Sequence, residues 1–309
     1  MTMLTRRAAL AAAAALPAAA LVTPRAALAA AEMKGAAIAP FARFAIGKVE
    51  VTALLSGTRT VENPGQIFGL NASPEDFAAA SEAAFLPTDR SQFFFTPTLV
   101  NTGAELVLFD AGLSVPGITA ALAAAGHTPD QVDRIVFTHF HGDHIGGLGG
   151  ANPTFPNAAY VAGRAEFDFW AGAGNEAFEA NVRPLAERFS FIEDGAAAAP
   201  GITAMATHGH SPGHMSYMIE SEGASLLVLG DVTNHPVWSL ARPDWEVRFD
   251  ADKPAAAATR RRVLGMLAAD RVPFVGYHMP FPAVGFVAAR GDGFDYVPGH
   301  AALMTNVAG

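Results

Sequence analysis

The stretch Asp133–Gly147, DRIVFTHFHGDHIGG, joins an apolar segment to a dense group of potential metal ligands. Its first half is apolar and predicts a buried strand over Asp133–Thr138. Four side chains of metal-ligand type follow directly: His139, His141, Asp143 and His144. Imidazole and carboxylate groups suit zinc, iron, manganese or cobalt. Since the His-x-His pair and the Asp-His pair aim at different points, two metals fit this loop better than one. A set of surface or supporting histidines is the plainer alternative.

Three later segments carry the same kinds of side chain. The first is Gly209-His210-Ser211-Pro212-Gly213-His214. The second is Asp231, at the end of the predicted strand Ser225–Gly230, and the third is His278, at the end of the predicted strand Val272–Tyr277. Polar groups at the ends of apolar strands lie on loops that a rigid sheet holds in place, which is where folds carry chemistry.

Strands and helices alternate along the chain, and several strands adjoin in hairpins, which predicts one α/β domain of packed sheets with helices outside. No fixed-period repeat or Ser/Gly linker divides the sequence. Besides the strands above, we predict strands at Lys48–Ser56, Leu99–Asp110 (a pair), Ala158–Ala162 and Ile202–Ala206. We predict helices from the cap Ser73 to about Phe85, at Ile118–Ala125, Glu166–Trp170, Glu176–Phe189 and Pro254–Ala269.

The order His139-x-His141-x-Asp143-His144, His210, Asp231, His278 resembles the metallo-β-lactamase superfamily, over roughly Leu99 to His278. The resemblance implies an α/β fold, the four-layer αβ/βα sandwich, with the site at an edge where the sheets meet. It implies that His139, His141 and His210 hold one metal, that Asp143, His144 and His278 hold the other, and that Asp231 bridges them. It also implies that Asp110 braces the histidine loop, while His214 is expected to support the ligands.

Two divalent ions held in this way would share a hydroxide and lower its pKa to about 7. That hydroxide would attack a carbonyl or phosphoryl centre without a protein nucleophile. Zinc is the expected metal, with manganese, iron or cobalt as alternatives. Asp231 and Asp143 are the expected catalytic carboxylates, the first as a bridge and the second as a ligand that also takes up a proton.

Several branches of the superfamily fit this chain poorly. It has no cysteine, which excludes the β-lactamases that use a thiolate ligand, and the cysteine-free lactamases normally lack a bridging Asp like Asp231. Glyoxalase II acts on a cytosolic glutathione thioester, which an exported protein would not meet. Transfer-RNA nucleases conflict with a formal net charge of −9, because an acidic surface repels phosphate backbones.

Quorum-quenching lactonases and methyl parathion hydrolases remain. A long stretch before Leu99 and the segment after His278, with its Phe281-Pro282 pair, are similar to the latter. One departure is Asn234, where the smaller lactonases have a Tyr. We therefore expect hydrolysis of lactones, including N-acyl-homoserine lactones, or aryl esters, with phosphotriesterase side activity. A dedicated organophosphate hydrolase is the alternative, and a β-lactamase, a redox protein and a non-catalytic binding protein are weaker ones.

Aromatic side chains around such a site would suit an acyl chain or an aryl leaving group. The expected substrate contacts are Phe93, Phe95, Trp170, His235 and Phe281, and weaker candidates are Phe167, Trp238 and Phe286. Most phenylalanines of any chain belong to its core, so core packing is the competing interpretation for each. We expect His127, His208 and His300 to have no part in catalysis.

The 309-residue chain is 51% hydrophobic, enough to bury a sizeable core. Residues 1–29 carry Arg6-Arg7, an Ala-rich apolar run and an Ala-x-Ala site, and we expect a twin-arginine signal peptide; a Sec signal or an uncleaved anchor are alternatives. Residues 30–309 would then form one periplasmic or secreted domain with an N-terminal arm over about 30–95. We expect a small-molecule substrate, no nucleic acid, no membrane after cleavage, and a homodimer.

Overall fold

The computed structural model describes Met33 and residues 35–299, and the chain divides into two units, Met1–Ala37 and Ile38–Gly309. The few described residues of the first unit are exposed and form no strand or helix. The predicted signal peptide over residues 1–29 and His300 lie outside the described residues. Within Met33 and 35–299, no helix has both the length and the apolar character that a membrane span needs.

The second unit contains strands and helices in alternation. The strands are β1 (Phe41–Ile46), β2 (Val49–Leu54), β3 (Gly57–Glu62), β4 (Arg90–Phe95), β5 (Thr98–Asn101), β6 (Leu106–Phe109), β7 (Arg134–Val136), β8 (Ala159–Gly163), β9 (Phe189–Ile192), β10 (Ala197–Ala199), β11 (Ile202–Ala206), β12 (Met215–Ser221), β13 (Ala224–Gly230), β14 (Phe274–Gly276), β15 (Val284–Arg290) and β16 (Gly293–Pro298). The helices are α1 (Pro74–Ala83), α2 (Val115–Ala124), α3 (Gly142–Ile145), α4 (Arg164–Ala173), α5 (Glu176–Asn181) and α6 (Lys253–Asp270).

Two seven-stranded sheets face each other. The first has the order β1-β2-β5-β6-β7-β8-β9 and the second β10-β11-β12-β13-β14-β15-β16. Strands β6 to β9 are parallel, as are β13 and β14, and the other neighbours are antiparallel. Parallel neighbours end at the same edge of a sheet, so β6 with β7, and β13 with β14, each deliver their following loops to one place.

Alternation along the strands divides the core into layers. Val107 packs with the residues between the sheets, whereas its neighbour Leu108 packs with the helical layer that contains Ile118 of α2. On the other side, Leu264 of α6 packs with the residues of the second sheet. The architecture is helix, sheet, sheet, helix, and it confirms the predicted four-layer αβ/βα sandwich.

The elements agree with the sequence patterns where the patterns are strong. The hydroxyl of Ser73 accepts a hydrogen bond from the backbone N–H of Asp76, as expected of a helix cap at the start of α1. The predicted helix Glu176–Phe189 is wrong in its second half, because α5 ends at Asn181 and Phe189 begins β9. Pro184 explains the break: it lacks an N–H and disfavours helical geometry at the preceding residue, and a 3₁₀ turn replaces the helix.

The region predicted as an arm has two parts. Strands β1 and β2 join the first sheet, whereas β3 and β4 pair only with each other and form a two-stranded ribbon, called the arm ribbon below. In the arm ribbon, Arg59 lies opposite Phe93 and Gly57 opposite Phe95. Since side chains alternate between the two faces of a strand, Arg59, Phe93 and Phe95 share one face of the ribbon.

Candidate metal centre

Four strand ends bring the predicted ligands to one edge of the molecule. Asp110 follows β6, the histidine loop follows β7, Asp231 follows β13 and His278 follows β14. His210 comes from the loop between β11 and β12. The pairs β6–β7 and β13–β14 are parallel and belong to different sheets. The side chains that follow these strands cluster, so the carboxyl ends of the two pairs lie at the same edge of the molecule. All seven predicted ligands lie in three overlapping groups whose ligand atoms are within 4.8 Å of one another.

Three imidazole nitrogens form the first half of the cluster. His139 Nε2 lies 3.0 Å from His141 Nδ1, which in turn lies 2.9 Å from His210 Nε2. Burial and the neighbouring histidines lower the pKa of His139, and burial first, then His210, lower the pKa of His141 to about 3. The rings of His139 and His141 are therefore neutral at pH 7, and their nitrogens lie close to that of His210.

Carboxylates dominate the second half. Asp231 Oδ2 lies 3.1 Å from His278 Nε2 and 3.3 Å from His210 Nε2, so this carboxylate faces both halves. Asp143 Oδ2 lies 3.3 Å from His278 Nε2, and Asp231 Oδ1 lies 3.4 Å from His144 Nε2. Although burial opposes the shift, Asp231 and Asp143 raise the pKa of His278 to about 10. This half of the cluster therefore stabilises positive charge.

The rings of His144, His210 and His278 each have a hydrogen-bond acceptor at the nitrogen that faces away from the cluster, called the outer nitrogen below. Asp110 accepts from His144 Nδ1 at 2.8 Å and also from the N–H and hydroxyl of Thr138, so its carboxylate connects the two ends of this loop. Asp250 lies 2.9 Å from His210 Nδ1, and the Phe94 carbonyl of β4 lies 2.8 Å from His278 Nδ1. An acceptor at the outer nitrogen keeps the proton there, which leaves the inner nitrogen free for a metal.

The residues fit a pair of divalent cations. Imidazole nitrogens about 3 Å apart, such as those of His139, His141 and His210, repel one another unless a proton or a cation lies between them. His144 Nε2 and Asp231 Oδ1 are buried and have no hydrogen-bond partner in the described part of the chain. A buried polar atom without a partner costs free energy, which a ligated metal would remove. Imidazole and carboxylate are suitable donors for such ions.

Glu166, at the start of α4, is a supporting residue that the sequence did not reveal. Its buried carboxylate accepts hydrogen bonds from the N–H of Phe140 and of Gly213, both at 2.9 Å, and from Ser211 and Trp170 at 2.7 and 2.6 Å. Phe140 lies between two ligand histidines, and Gly213 lies in the His210 loop. Burial raises the pKa of Glu166, and the hydrogen bonds oppose that shift. One carboxylate thus ties the two histidine loops together.

A cavity of about 500 Å³ opens over the cluster. Its floor includes His141, Asp143 and Asp231, and its walls include the predicted Phe93 and Phe95. Both phenylalanine rings lie 5.5 Å from the ring of His278. The walls also contain residues that we did not predict: Arg59, Val61, Ile67, Leu113, Arg248 and Phe249.

The other predicted substrate contacts do not line this cavity. The Trp170 indole N–H donates to Glu166 and Ser211, so the polar edge of the ring faces the buried Glu166 carboxylate. The His235 ring caps the turn Pro236–Leu240 by accepting two backbone N–H groups, and it stacks on Trp238 at 4.0 Å. Phe281 lies in the turn before β15, away from the cavity. The weaker candidates Phe167, Trp238 and Phe286 are also absent from the cavity walls.

Three neighbours of the ligands have supporting contacts. His214 Nε2 accepts the backbone N–H of Asp231 at 3.0 Å, so His214 lies directly behind Asp231. The Asn234 amide donates to Asp231 Oδ2 at 2.9 Å. Tyr277, which we did not predict, donates to the Asp143 carbonyl at 2.6 Å and stacks on His144 at 3.8 Å. A Tyr before the last ligand carries no metal-binding signal in sequence.

Comparison with known families gives a match to the model described as "Metallo-beta-lactamase superfamily", over residues 96–274. An N-acyl homoserine lactonase of Bacillus cereus is 33% identical over 112 residues, which is 36% of this chain and 42% of that protein. The N-acyl homoserine lactonase AttM of Agrobacterium fabrum is 29% identical over 123 residues, or 45% of its length. This chain thus matches less than half the length of these curated relatives.

Solved structures extend the likeness to nearly whole chains. AidC, described as a dizinc quorum-quenching lactonase in complex with its product, superposes with a TM-score of 0.78 at 23% identity, over 84% of this chain and 97% of AidC. The hydrolase AbOPH superposes with a TM-score of 0.77 at 25% identity, over 85% and 98%. At these identities the superpositions establish the fold.

Proposed function

Since this chain belongs to the metallo-beta-lactamase superfamily, we propose that it is a two-metal hydrolase that opens lactones and cleaves aryl esters, with N-acyl-homoserine lactones as leading substrates. One observation carries the proposal: seven ligand-type side chains cluster together, and five of them line the floor of an aromatic-walled cavity. Similarity to N-acyl homoserine lactonases of Bacillus cereus and Agrobacterium fabrum supports lactones as the substrate class.

The ligands divide between two ions. His139, His141 and His210 would hold the first, and the second would be held by Asp143, His144 and His278, with Asp231 shared. When bound, a pair of divalent ions supplies a water molecule of lowered pKa and polarises the oxygen of the scissile bond. Zinc is the proposed metal, because it prefers imidazole and carboxylate ligands and because the structural neighbour AidC is described as dizinc.

The protein's own residues fix the geometry of this chemistry. Asn234 donates to Asp231 and holds the shared carboxylate, while Asp110 and Asp250 orient the rings of His144 and His210. Phe93 and Phe95 present apolar surface beside His278, which excludes bulk water and accepts an acyl chain or an aryl group. The Asp143 side chain is 25% exposed, against 4% for Asp231, so Asp143 is the more accessible carboxylate of the set and the proposed proton acceptor.

The test is a rate panel on zinc-loaded protein whose metal content has been measured. It compares N-acyl-homoserine lactones of several chain lengths, an aromatic lactone, an aryl ester, a phosphotriester and a chromogenic cephalosporin. We expect close to two metals per chain, the highest kcat/KM on a lactone or aryl ester, and weak phosphotriester turnover. A phosphotriester preferred by orders of magnitude would replace the proposal with an organophosphate hydrolase, and no turnover at two metals per chain would refute hydrolysis of this class.

A further inference from the structure

Two arginines flank the mouth of the cavity above the metal cluster. Arg59 comes from β3 of the arm ribbon, and Arg248 comes from the loop before α6, so distant parts of the sequence supply them. Both side chains are exposed, and within Met33 and residues 35–299 neither guanidinium forms an ion pair. The other walls at this level are apolar, including Val61, Ile67 and Phe249.

Contacts between rings connect each guanidinium to the centre. Arg59 Cζ lies 5.8 Å from the ring centroid of Phe95, whose ring lies 5.5 Å from that of His278. Arg248 Cζ lies 5.1 Å from the Phe249 ring, which contacts the Phe93 ring edge-on at 6.5 Å. Phe93 in turn lies 5.5 Å from His278. Both cations therefore lie at the outer end of an aromatic wall that begins at a metal ligand.

The alternation of side chains along β3 determines which face of the arm ribbon carries Arg59. It shares the cavity face of the arm ribbon with Phe93 and Phe95, whereas Arg90, at the other end of β4, points to the opposite face. The chain as a whole carries a formal net charge of −9 and repels anions at long range. Two cations without carboxylate partners at the cavity mouth of such a protein create a local site for an anion.

From this geometry we infer that, among the proposed lactones and esters, the protein prefers those with an anionic group, of carboxylate type, at the end remote from the scissile bond. The apolar walls take the connecting chain, and Arg59 and Arg248 bind the anion. This inference rests on the proposed hydrolase function and narrows its substrate class. It concerns specificity, because neither arginine reaches the proposed metal ligands.

The test compares two substrates that differ only in remote charge: the 4-nitrophenyl ester of hexanoic acid and the mono-4-nitrophenyl ester of hexanedioic acid. Zinc-loaded wild-type protein should prefer the anionic ester, in kcat/KM, by on the order of tenfold after correction for uncatalysed hydrolysis. Arg59→Gln and Arg248→Gln should each lower the ratio of the two kcat/KM values about fivefold, the size expected for one partly solvated charge pair.

Arg90→Gln is the matched control, because it removes the same charge from the same ribbon on the face away from the cavity. Its ratio should equal that of the wild type. No preference for the anionic ester, or an equal fall in the ratio for Arg90→Gln, overturns the inference while hydrolysis of the neutral ester leaves the proposed function intact.

If neither ester is hydrolysed, the rate panel above decides the proposed function, and a binding measurement decides the inference. Isothermal titration calorimetry would then compare hexanedioate with hexanoate on the zinc-loaded protein. Tighter binding of hexanedioate that is lost in Arg59→Gln supports the anion site, and equal affinities refute it.

Discussion

Replacement of Glu166 by Gln should weaken metal binding although Glu166 lies outside the cluster. The carboxylate accepts four hydrogen bonds, and two come from backbone N–H groups that cannot turn elsewhere, those of Phe140 and Gly213. An amide of the same shape keeps one acceptor oxygen and presents an NH₂ to the other backbone donor. A buried donor without a partner costs about 1–3 kcal/mol, so Glu166→Gln should lower the free energy of unfolding by about that amount.

Glu166→Gln should alter the metal centre, because both backbone donors lie in loops that carry proposed metal ligands. Phe140 separates His139 from His141, and Gly213 follows His210 closely. Loss of a supporting group of this kind typically costs 10- to 100-fold in metal affinity. Competition with a chromophoric chelator would measure zinc affinity, and the absorption spectrum of the cobalt-loaded protein would report ligand geometry. Urea unfolding of the metal-free protein would give the stability term separately.

Asp168→Asn is the control, since Asp168 lies on the same helix, is exposed and forms only a long pair with Arg164 at 3.9 Å. That variant should stay within about 0.5 kcal/mol of the wild type and bind zinc as tightly. If Glu166→Gln matched Asp168→Asn in zinc affinity and in the cobalt spectrum, the carboxylate would not position the loops and the reasoning would fail.

The remaining predictions concern the ligands and their support. Asp231→Ala should reduce turnover on the order of 10³-fold and lower the metal content, since both halves of the cluster lose the same carboxylate; full activity in the rate panel would remove Asp231 from the centre. Asp250→Asn should weaken zinc binding about tenfold in the chelator competition, because Asn keeps only one acceptor oxygen for the two partners of Asp250, His210 Nδ1 and the Arg260 guanidinium; unchanged affinity would contradict this role. His127→Ala should leave kcat/KM within experimental error, and a large loss would show that the ligands were sorted wrongly.

The strand ends that carry the ligands were predictable because they combine two local signals. An apolar run such as the Ile-Val-Phe segment at residues 135–137 predicts a buried strand, and a ligand-type side chain shortly after it lies on the loop at the sheet edge. Sequence also located Asp110 and His214, which support ligands through contacts of 2.8 and 3.0 Å. These residues lie close in sequence to the predicted strands and loops.

Glu166 and Asp250 were not predictable for the opposite reason. Glu166 lies at a helix start, where an acidic residue is usual because it favours the positive end of the helix dipole, so nothing sets it apart. Asp250 precedes a helix in a surface-like sequence, yet it is buried between His210 and Arg260, 40 and 10 residues away. Only the tertiary fold makes such a residue a partner of a ligand.

The cavity walls show the limit of reasoning from residue type. Trp170 is a large aromatic residue, and His235 lies four residues after Asp231, which favoured both as substrate contacts. Each has a polar edge that must be satisfied when buried, and each meets that need in the protein, at Glu166 and at the turn after His235. Phe93 lines the cavity because it lies on the cavity face of the arm ribbon, a position that depends on the pairing of β3 with β4.

Three buried carboxylates outside the ligand set share one physical role. Asp110, Glu166 and Asp250 each lie beneath a histidine loop, and each is almost fully shielded from water or held by several donors. A buried carboxylate costs several kcal/mol unless its hydrogen bonds are complete, so the fold tolerates these groups only while the loops keep their positions. The same hydrogen bonds that compensate the buried charge therefore fix the ligand rings before a metal arrives. A substitution that removes one of these hydrogen bonds should therefore lower the stability of the fold and disturb the geometry of the proposed metal centre together.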